Sequence, residues 1–200
     1  TFHDGNRIPQ LGYGVWQVEN EITANVVGQA LEAGYRHIDT ARVYGNESGV
    51  GTALRAEGLD RNDVFITSKL WNADHGYEST LKAFDATMED LGLEVLDLYL
   101  IHFPVPSKKL RVDTWRAFIE LHQQGRIRSI GVSNFRIQDL DELEAETGVI
   151  PVINQIELHP YFTQPELRAY HEQKGIVTES WSPLGQGGGE LTDPVINRIA

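Results

Sequence analysis

Short apolar segments alternate along the whole chain with longer segments in which apolar residues recur every three or four positions. The short segments are typical of buried strands, because they are rich in β-branched and aromatic residues. The longer segments are typical of amphipathic helices, and several of them end at a glycine, as at Gly34, Gly92 and Gly125. The pattern predicts seven strands, within residues 11–16, 37–41, 64–70, 96–103, 129–135, 152–159 and 175–182.

The regular alternation of strands and helices indicates a parallel sheet, because parallel neighbours need a long crossover that a helix usually supplies. Strands that are apolar on both faces indicate a sheet covered by helices. We therefore predict an α/β fold, a (β/α)8 TIM barrel, with residues 1–200 forming a single domain. An open doubly wound sheet is the alternative, but residues 12–17 read GYGVWQ, which lacks the third glycine of a dinucleotide-binding fingerprint.

Both ends of the chain carry predictions of their own. Residues 182–200 read as a glycine-rich loop and the beginning of a helix, so we expect the chain to lack strand 8 and the C-terminal helices, and the barrel domain to be incomplete. Near the start, FHDGNRIP contains an Asp-Gly pair of the kind that favours tight hairpin turns. We predict an N-terminal β-hairpin that covers the floor of the barrel.

Composition narrows the possible partners. The chain has 29 acidic and 17 basic residues and a formal net charge of −12, which argues against nucleic-acid and anionic-membrane partners, because both attract positive surfaces. It contains no cysteine, which excludes disulfides and thiolate sites. No segment approaches the roughly 20 apolar residues of a membrane span, and the start does not resemble a signal peptide. We expect a cytoplasmic monomer that acts on a small molecule.

Titratable residues stand where the predicted strands end. Asp39 ends the second strand, Lys69 the third and His102 the fourth, and Tyr44 follows the second. Taken singly, each has an ordinary explanation, such as a helix cap, a half-buried tyrosine or a solvated lysine. Active sites of parallel barrels lie at the C-terminal ends of the strands. The four residues together therefore predict a catalytic site.

The combination of a tyrosine, a lysine and an aspartate suggests acid catalysis. A tyrosine with a pKa of about 10 is a poor proton donor near neutral pH unless its anion is stabilised. A positive charge about 4 Å away is worth about 4 kcal/mol at an effective dielectric constant near 20, so we expect Lys69 to lower the pKa of Tyr44. Asp39 would keep the lysine charged. Tyr44 would then protonate a developing alkoxide, and His102 would orient or polarise the carbonyl group.

Six segments carry a resemblance to a known family: HIDTARVYGNE, ITSKLW, LYLIHFP, IGVSNF, INQIELHP and ESWSPLG. In this order and spacing they resemble the signature segments of the aldo-keto reductases. The form ESWSPLGQG is most similar to the bacterial branch that includes 2,5-diketo-D-gluconate reductases. The resemblance implies an eightfold barrel that reduces aldehydes and ketones to alcohols with NADPH and without a metal. The catalytic tetrad of the family corresponds to Asp39, Tyr44, Lys69 and His102.

The same resemblance implies which residues bind the cofactor. Ser133, Asn134 and Gln155 would bind the nicotinamide carboxamide, and Trp181 would stack on the ring, where many members have tyrosine. The glycine-rich loop would cover the cofactor, with the candidates Ser182, Leu184 and Gln186. The family segment that contacts the adenosine 2′-phosphate would follow residue 200. The expected preference for NADPH over NADH therefore rests on the resemblance and not on residues of this chain.

Three aromatic residues are candidates for the substrate pocket. Trp16, Trp71 and Phe103 follow or end strands one, three and four, so we predict that they form an apolar wall beside the tetrad. Phe103 stands where tryptophan is common in the resembling family. The substitution alters the size of the pocket without identifying the substrate.

Two other classes of function remain open. A metal-dependent hydrolase on the same barrel would use His37 and Asp39, Lys69 as a carbamate, and the two histidines His102 and His159. It would leave the tyrosine, the Ser-Asn pair and the C-terminal tryptophan without roles. A non-catalytic NADP-binding module that senses redox state is the second alternative, and the complete tetrad argues against it.

Overall fold

The computed structural model describes residues 1–56 and 58–199. Seven strands pair in parallel in the order of the chain, which confirms the predicted strands and their direction. The strands are β1 Tyr13–Gly14, β2 His37–Asp39, β3 Phe65–Leu70, β4 Leu96–Ile101, β5 Ile127–Ser133, β6 Ile153–Glu157 and β7 Val177–Trp181.

Helices connect the strands and pack on the outer face of the sheet. They are α1 Asn20–Glu32, α2 Glu47–Ala56, α3 Tyr77–Leu91, α4 Arg111–Gln123, α5 Ile137–Thr147, α6 Pro165–Lys174 and α7 Pro194–Ile199. The outer core between the two layers includes Ile66 and Tyr99 from the sheet and Trp115 and Phe118 from α4. Gly92 and Gly148 end their helices with φ of 66° and 71°, a region that glycine enters without a Cβ clash.

The apolar pattern does not predict α2, whose sequence ESGVGTALRA contains two glycines. Both glycines permit close packing. A Cβ on Gly49 would lie 2.7 Å from Cβ of Thr23, and one on Gly51 would lie 2.3 Å from the carbonyl oxygen of Leu91. The residues that weaken the helical pattern are therefore those that let α2 approach α1 and the end of α3.

The sheet is curled so that its inner face encloses an interior. Gln155 on β6 donates a hydrogen bond from Nε2 to Oδ2 of Asp39 on β2 at 2.9 Å, although three strands separate β2 from β6 in the sheet order. Towards the N-terminal ends of the strands the interior is apolar and contains Phe2, Leu98, Val152 and Ile153, and Leu100 of the same cluster lies further along β4, opposite Lys69. The opposite end contains polar and charged side chains.

The predicted N-terminal β-hairpin is wrong in part. Residues 1–12 contain the turn, with hydrogen bonds from Phe2 N to Asn6 O and from Gly5 N to Phe2 O, but no strand is assigned in them. The segment still covers the floor: Asn6 Nδ2 donates to Arg128 O and Ser129 Oγ, each at 3.0 Å. Side-chain hydrogen bonds to β5 thus take the place of backbone hydrogen bonds between two hairpin strands. An Asp-Gly turn alone is therefore not sufficient to predict a hairpin.

Among the helices of residues 1–56 and 58–199, none has the length and apolar character needed to cross a membrane.

Candidate active site

Lys69 is the centre of the polar end of the interior. Its side chain is fully buried, and Nζ donates to Oδ1 of Asp39 at 2.5 Å and to the carbonyl oxygen of Thr40 at 3.0 Å. Burial by itself would lower the pKa of Lys69, but the charge of Asp39 and its hydrogen bond with the ammonium group outweigh burial, and the pKa is raised. The lysine is therefore a charged, fixed group at neutral pH.

Tyr44 lies directly beside this pair. It ends a 3₁₀ turn, Arg42–Tyr44, that follows β2, and Lys69 Nζ is 5.2 Å from the centre of its ring. The expectation that Lys69 would bring the pKa of Tyr44 below its ordinary value is wrong. Burial and the charge of Asp39 raise the pKa more than Lys69 lowers it, because the aspartate that fixes the lysine also offsets its field. The phenol is therefore protonated and available as a donor.

His102 lies just beyond β4 and is neutral. Burial and the positive charge of Lys69 lower its pKa to about 3, although Asp39 opposes them. Its ring meets the ring of Tyr44 edge-on, with the centroids 5.8 Å apart, and its Nδ1 is buried without a hydrogen-bond partner. A neutral imidazole beside the phenol can donate a hydrogen bond to a carbonyl oxygen without delivering a charge.

Three of the predicted cofactor residues are joined by hydrogen bonds at the ends of β5 to β7. Trp181 Nε1 donates to Oδ1 of Asn134 at 2.8 Å, and Asn134 Nδ2 donates to Ser133 Oγ at 3.0 Å. Asn134 also donates to the carbonyl oxygen of His102 at 3.0 Å, and its backbone has a φ of 63°. Few non-glycine residues adopt this backbone region, and the three hydrogen bonds of the Asn134 side chain hold its amide in a fixed orientation between two strand ends.

Gln155 links the predicted cofactor residues to the tetrad. Its side chain is buried and binds Asp39 as described above, while its carbonyl oxygen accepts a hydrogen bond from Ser133 Oγ at 2.9 Å. Flat indole, amide and hydroxyl groups thus lie within one hydrogen-bonded set next to the charged residues. Their chemistry fits a nicotinamide, which presents a planar ring and an amide group.

The glycine-rich loop after β7 holds the remaining cofactor candidates. Ser182 and Gln186 both have positive φ, 51° and 55°, and Gln186 Nε2 donates to Ser182 Oγ at 3.0 Å. Leu184 is 59% exposed. The loop therefore offers an accessible apolar side chain and turned backbone at the same end of the sheet as Trp181.

Two of the three predicted pocket residues lie together over His102. The rings of Trp71 and Phe103 meet edge-on at 6.3 Å, and Trp71 lies 5.4 Å from His102. Phe103 stacks on His102 at 5.1 Å. Trp16 follows β1 and is half exposed, so it stands at the rim, while the other two form a continuous apolar surface.

Sequence reasoning missed Glu179, an acidic residue on β7 opposite Gln155. One carboxylate oxygen, Oε2, is buried without a hydrogen-bond partner. Burial, followed by the charge of Asp39, raises the pKa of Glu179 to about 7, against the opposing effects of Lys69 and Gln155. The signal available was its spacing: Glu179 stands two residues before Trp181 on the same strand, so both face the interior.

The geometry also bears on the metal alternative. Ligand atoms of His37, Asp39 and Glu179 lie within 4.8 Å of one another, but the charged Lys69 already binds Asp39, and a carbamate would require a neutral lysine. His159 lies with Glu157 and Glu190 instead, at 3.2 Å and 3.1 Å. The predicted hydrolase set is therefore not assembled in one place.

Comparisons with known proteins agree on one family. Residues 10–193 match the profile of the aldo/keto reductase family. An aldo-keto reductase of Mycolicibacterium smegmatis is 57% identical over all 200 residues, which cover 72% of that protein. The methylglyoxal reductase DkgA of Escherichia coli strain K12 is 50% identical over 195 residues, covering 98% of this chain and 70% of the relative. A solved mutant of Gox0644 in complex with NADPH superposes with a TM-score of 0.95 at 50% identity, covering all of this chain and 72% of that one.

Proposed function

The chain belongs to the aldo/keto reductase family, and from this premise we propose how its residues reduce the carbonyl group of an aldehyde or ketone to an alcohol. It is an oxidoreductase that uses NADPH. When bound, NADPH would supply the hydride that the carbonyl carbon needs. The protein must then bind both reactants, hold the carbonyl oxygen in place and deliver one proton to that oxygen.

Tyr44 is the proton donor in this proposal. Its raised pKa keeps it protonated, and an alkoxide is far more basic than a phenolate, so transfer to the forming alkoxide is favourable. As the proton leaves, the charge of Lys69 stabilises the phenolate that remains. Asp39 holds Lys69 in place by the 2.5 Å contact. This buried lysine–aspartate pair beside the tyrosine ring is the observation that supports the function most strongly.

His102 orients the substrate. A neutral imidazole at the mouth of the interior can donate a hydrogen bond to the carbonyl oxygen and point it towards the Tyr44 hydroxyl. Because burial and Lys69 lower the pKa of His102 to about 3, the imidazole is neutral when it takes this role near neutral pH. Trp16, Trp71 and Phe103 would exclude water around the carbonyl group.

The nicotinamide would lie against Trp181, with its carboxamide bound by Ser133, Asn134 and Gln155. The hydrogen-bonded set described above supports this placement, because it presents a flat indole beside oriented amide groups. Ser182, Leu184 and Gln186 would cover the rest of the cofactor. NADPH, the cofactor in the Gox0644 complex, is expected to bind more tightly than NADH.

The proposal also covers the complete fold, the location, the oligomeric state and the substrate. An eighth strand would close the curled sheet between β7 and β1 and complete a single (β/α)8 barrel. A cytoplasmic location and a monomeric state remain expectations. A small carbonyl compound is the substrate, and the relative named methylglyoxal reductase makes a short 2-oxoaldehyde a suitable first compound to assay.

The test separates the two binding regions. The purified protein and its variants are assayed for aldehyde-dependent oxidation of NADPH. The Kd for NADPH is measured by fluorescence titration. Trp181→Ala should raise the Kd for NADPH by about tenfold, since stacking on an aromatic side chain is worth on the order of 1–3 kcal/mol. Phe103→Ala, the matched aromatic control at the same end, should change the KM for the aldehyde and leave that Kd alone. A protein that binds no nicotinamide nucleotide would contradict the proposed function.

A further inference from the structure

The turn that carries Tyr44 is closed at its base by a bond between two side chains. Thr40 and Asn46 flank the five residues 41–45. Both are fully buried, and Thr40 Oγ1 donates a hydrogen bond to Asn46 Oδ1 at 2.8 Å. Inside the turn, Tyr44 N donates to the carbonyl oxygen of Ala41 at 2.9 Å. We call the bond between Thr40 and Asn46 the base clamp.

The base clamp is anchored to the segment that follows β1. Asn46 Nδ2 donates to the carbonyl oxygens of Val15 and Val18, at 2.8 Å and 2.9 Å. These residues bracket the segment that contains Trp16. All three polar bonds of the Asn46 side chain are thus made to fixed partners, so the amide cannot rotate without leaving a buried polar group unpaired.

Thr40 connects the base clamp to the charged pair. Its carbonyl oxygen accepts from Lys69 Nζ at 3.0 Å, and its amide donates to the carbonyl oxygen of Thr67 at 2.9 Å. The same residue therefore fixes both the lysine and the start of the turn that carries the phenol. Displacement of Thr40 would change the distance between these two groups.

We infer that Thr40 and Asn46 are positioning residues that hold the Tyr44 hydroxyl at the carbonyl oxygen by closing the base of its turn. This inference rests on the proposed role of Tyr44 as the proton donor. The ordinary explanation is that the two side chains only satisfy buried backbone groups, in which case their loss would affect stability alone. The two explanations differ in what they predict for kcat.

The test removes one hydroxyl group. Thr40→Val has nearly the same shape as the parent residue and abolishes the base clamp. We expect kcat to fall on the order of tenfold to hundredfold, because small displacements of a reacting group have effects of this size. The Kd for NADPH and the KM for the aldehyde should stay within about twofold, since the groups that bind them are unchanged. Thr40→Ser should restore kcat.

Thr23→Val is the matched control. Thr23 is equally buried and also makes a 2.8 Å hydrogen bond, from Oγ1 to the carbonyl oxygen of Glu19, but it lies in α1. The Thr23→Val variant should lose about as much stability as Thr40→Val, and its kcat should equal that of the parent. Equal kcat values for Thr40→Val and Thr23→Val, or a failure of Thr40→Ser to restore kcat, would overturn the inference.

Two further comparisons keep the outcome clear. If Thr40→Val does not fold, Thr40→Ser and Thr40→Ala both lack the γ-methyl group and differ only in the hydroxyl, so their kcat ratio repeats the test. In a Tyr44→Phe background, Thr40→Val should cause no further loss of kcat. If Tyr44→Phe turns over as fast as the parent, the proposed function is refuted. If Tyr44→Phe is inactive and Thr40→Val is fully active, only the positioning role is refuted.

Discussion

The two ends of the sheet interior differ sharply, although the same strands form both. At the floor, Leu98 and Ile153 pack around Phe2. At the other end, Asp39 and Lys69 form a buried ion pair. Lys69 lies directly opposite Leu100 in the pairing of β3 with β4, so a charge and a leucine occupy one row. Hydrophobic burial explains the floor, while a buried ion pair usually costs more desolvation than it returns. The charged end is therefore better explained by chemistry than by stability.

Removing the central charge should have the largest effect. Lys69→Met should lower kcat by on the order of 10²–10⁴-fold, the range typical of general acid–base catalysis, because Tyr44 loses the cation that stabilises its anion. Steady-state kinetics with saturating NADPH measures the change. Lys82→Met, on the exposed face of α3, is the control and should be nearly silent. Equal kcat values for the two variants would show that the charged end is not catalytic.

A substitution at the floor should have the opposite profile. Leu98→Ala should lower the free energy of unfolding by about 2–5 kcal/mol, as for other buried leucines, because Leu98 is fully buried. The kcat per folded molecule should be close to that of the parent. Urea denaturation gives the first quantity and turnover below the transition gives the second. Leu11→Ala, at a leucine that is 73% exposed, should be nearly neutral.

The tightness of the interior can be tested at Gly131 on β5. A Cβ there would lie 2.5 Å from Cγ2 of Ile153, so Gly131→Ala should cost about 1–3 kcal/mol of overpacking. Gly14→Ala is matched to it, since a Cβ on Gly14 meets nothing within 4 Å. The same denaturation experiment compares them. Equal stability of the two variants would mean that the curled sheet is looser than the structure indicates.

The smallest expected effect concerns pH. Burial raises the pKa of Glu179 from 4.5 to about 7, so between these values the folded state binds a proton that the unfolded chain has released. Stability should therefore fall as the pH rises from about 4.5 to about 7 and should then level off. We expect a change on the order of 1 kcal/mol, because partial exposure of the residue screens the effect.

Glu179→Gln should remove this part of the pH dependence, and Leu98→Ala should leave it unchanged. Thermal unfolding at a series of pH values measures both. A slope that persists in Glu179→Gln would assign the titration to another group.

The sequence predicted the framework of this fold well, because strands buried on both faces and glycine helix ends leave direct signals. It predicted α2 poorly, since the packing of Gly49 and Gly51 against neighbouring backbone cannot be seen from periodicity. The N-terminal hairpin was wrong because a turn signal does not reveal whether its flanks find strand partners.

The candidate site was predicted unevenly for similar reasons. Position at strand ends and family resemblance predicted Asp39 and Lys69 at one site, and the structure joins them in an ion pair. The direction of the Tyr44 pKa shift was wrong, because burial and the net charge of its neighbours depend on three-dimensional packing. Glu179 was missed because the sequence does not reveal which side chains lie next to an acidic residue within a strand. The base clamp likewise depends on contacts that only the folded chain brings together.

The most direct test of the catalytic role of the charged end is a single-turnover experiment with Tyr44→Phe at saturating NADPH. We expect the rate of nicotinamide oxidation by an aldehyde to fall on the order of 10²–10⁴-fold, with the Kd for NADPH within about twofold of the parent value. A rate close to that of the parent would contradict the role of Tyr44 as proton donor. Loss of both turnover and NADPH binding would assign Tyr44 to the architecture of the site instead.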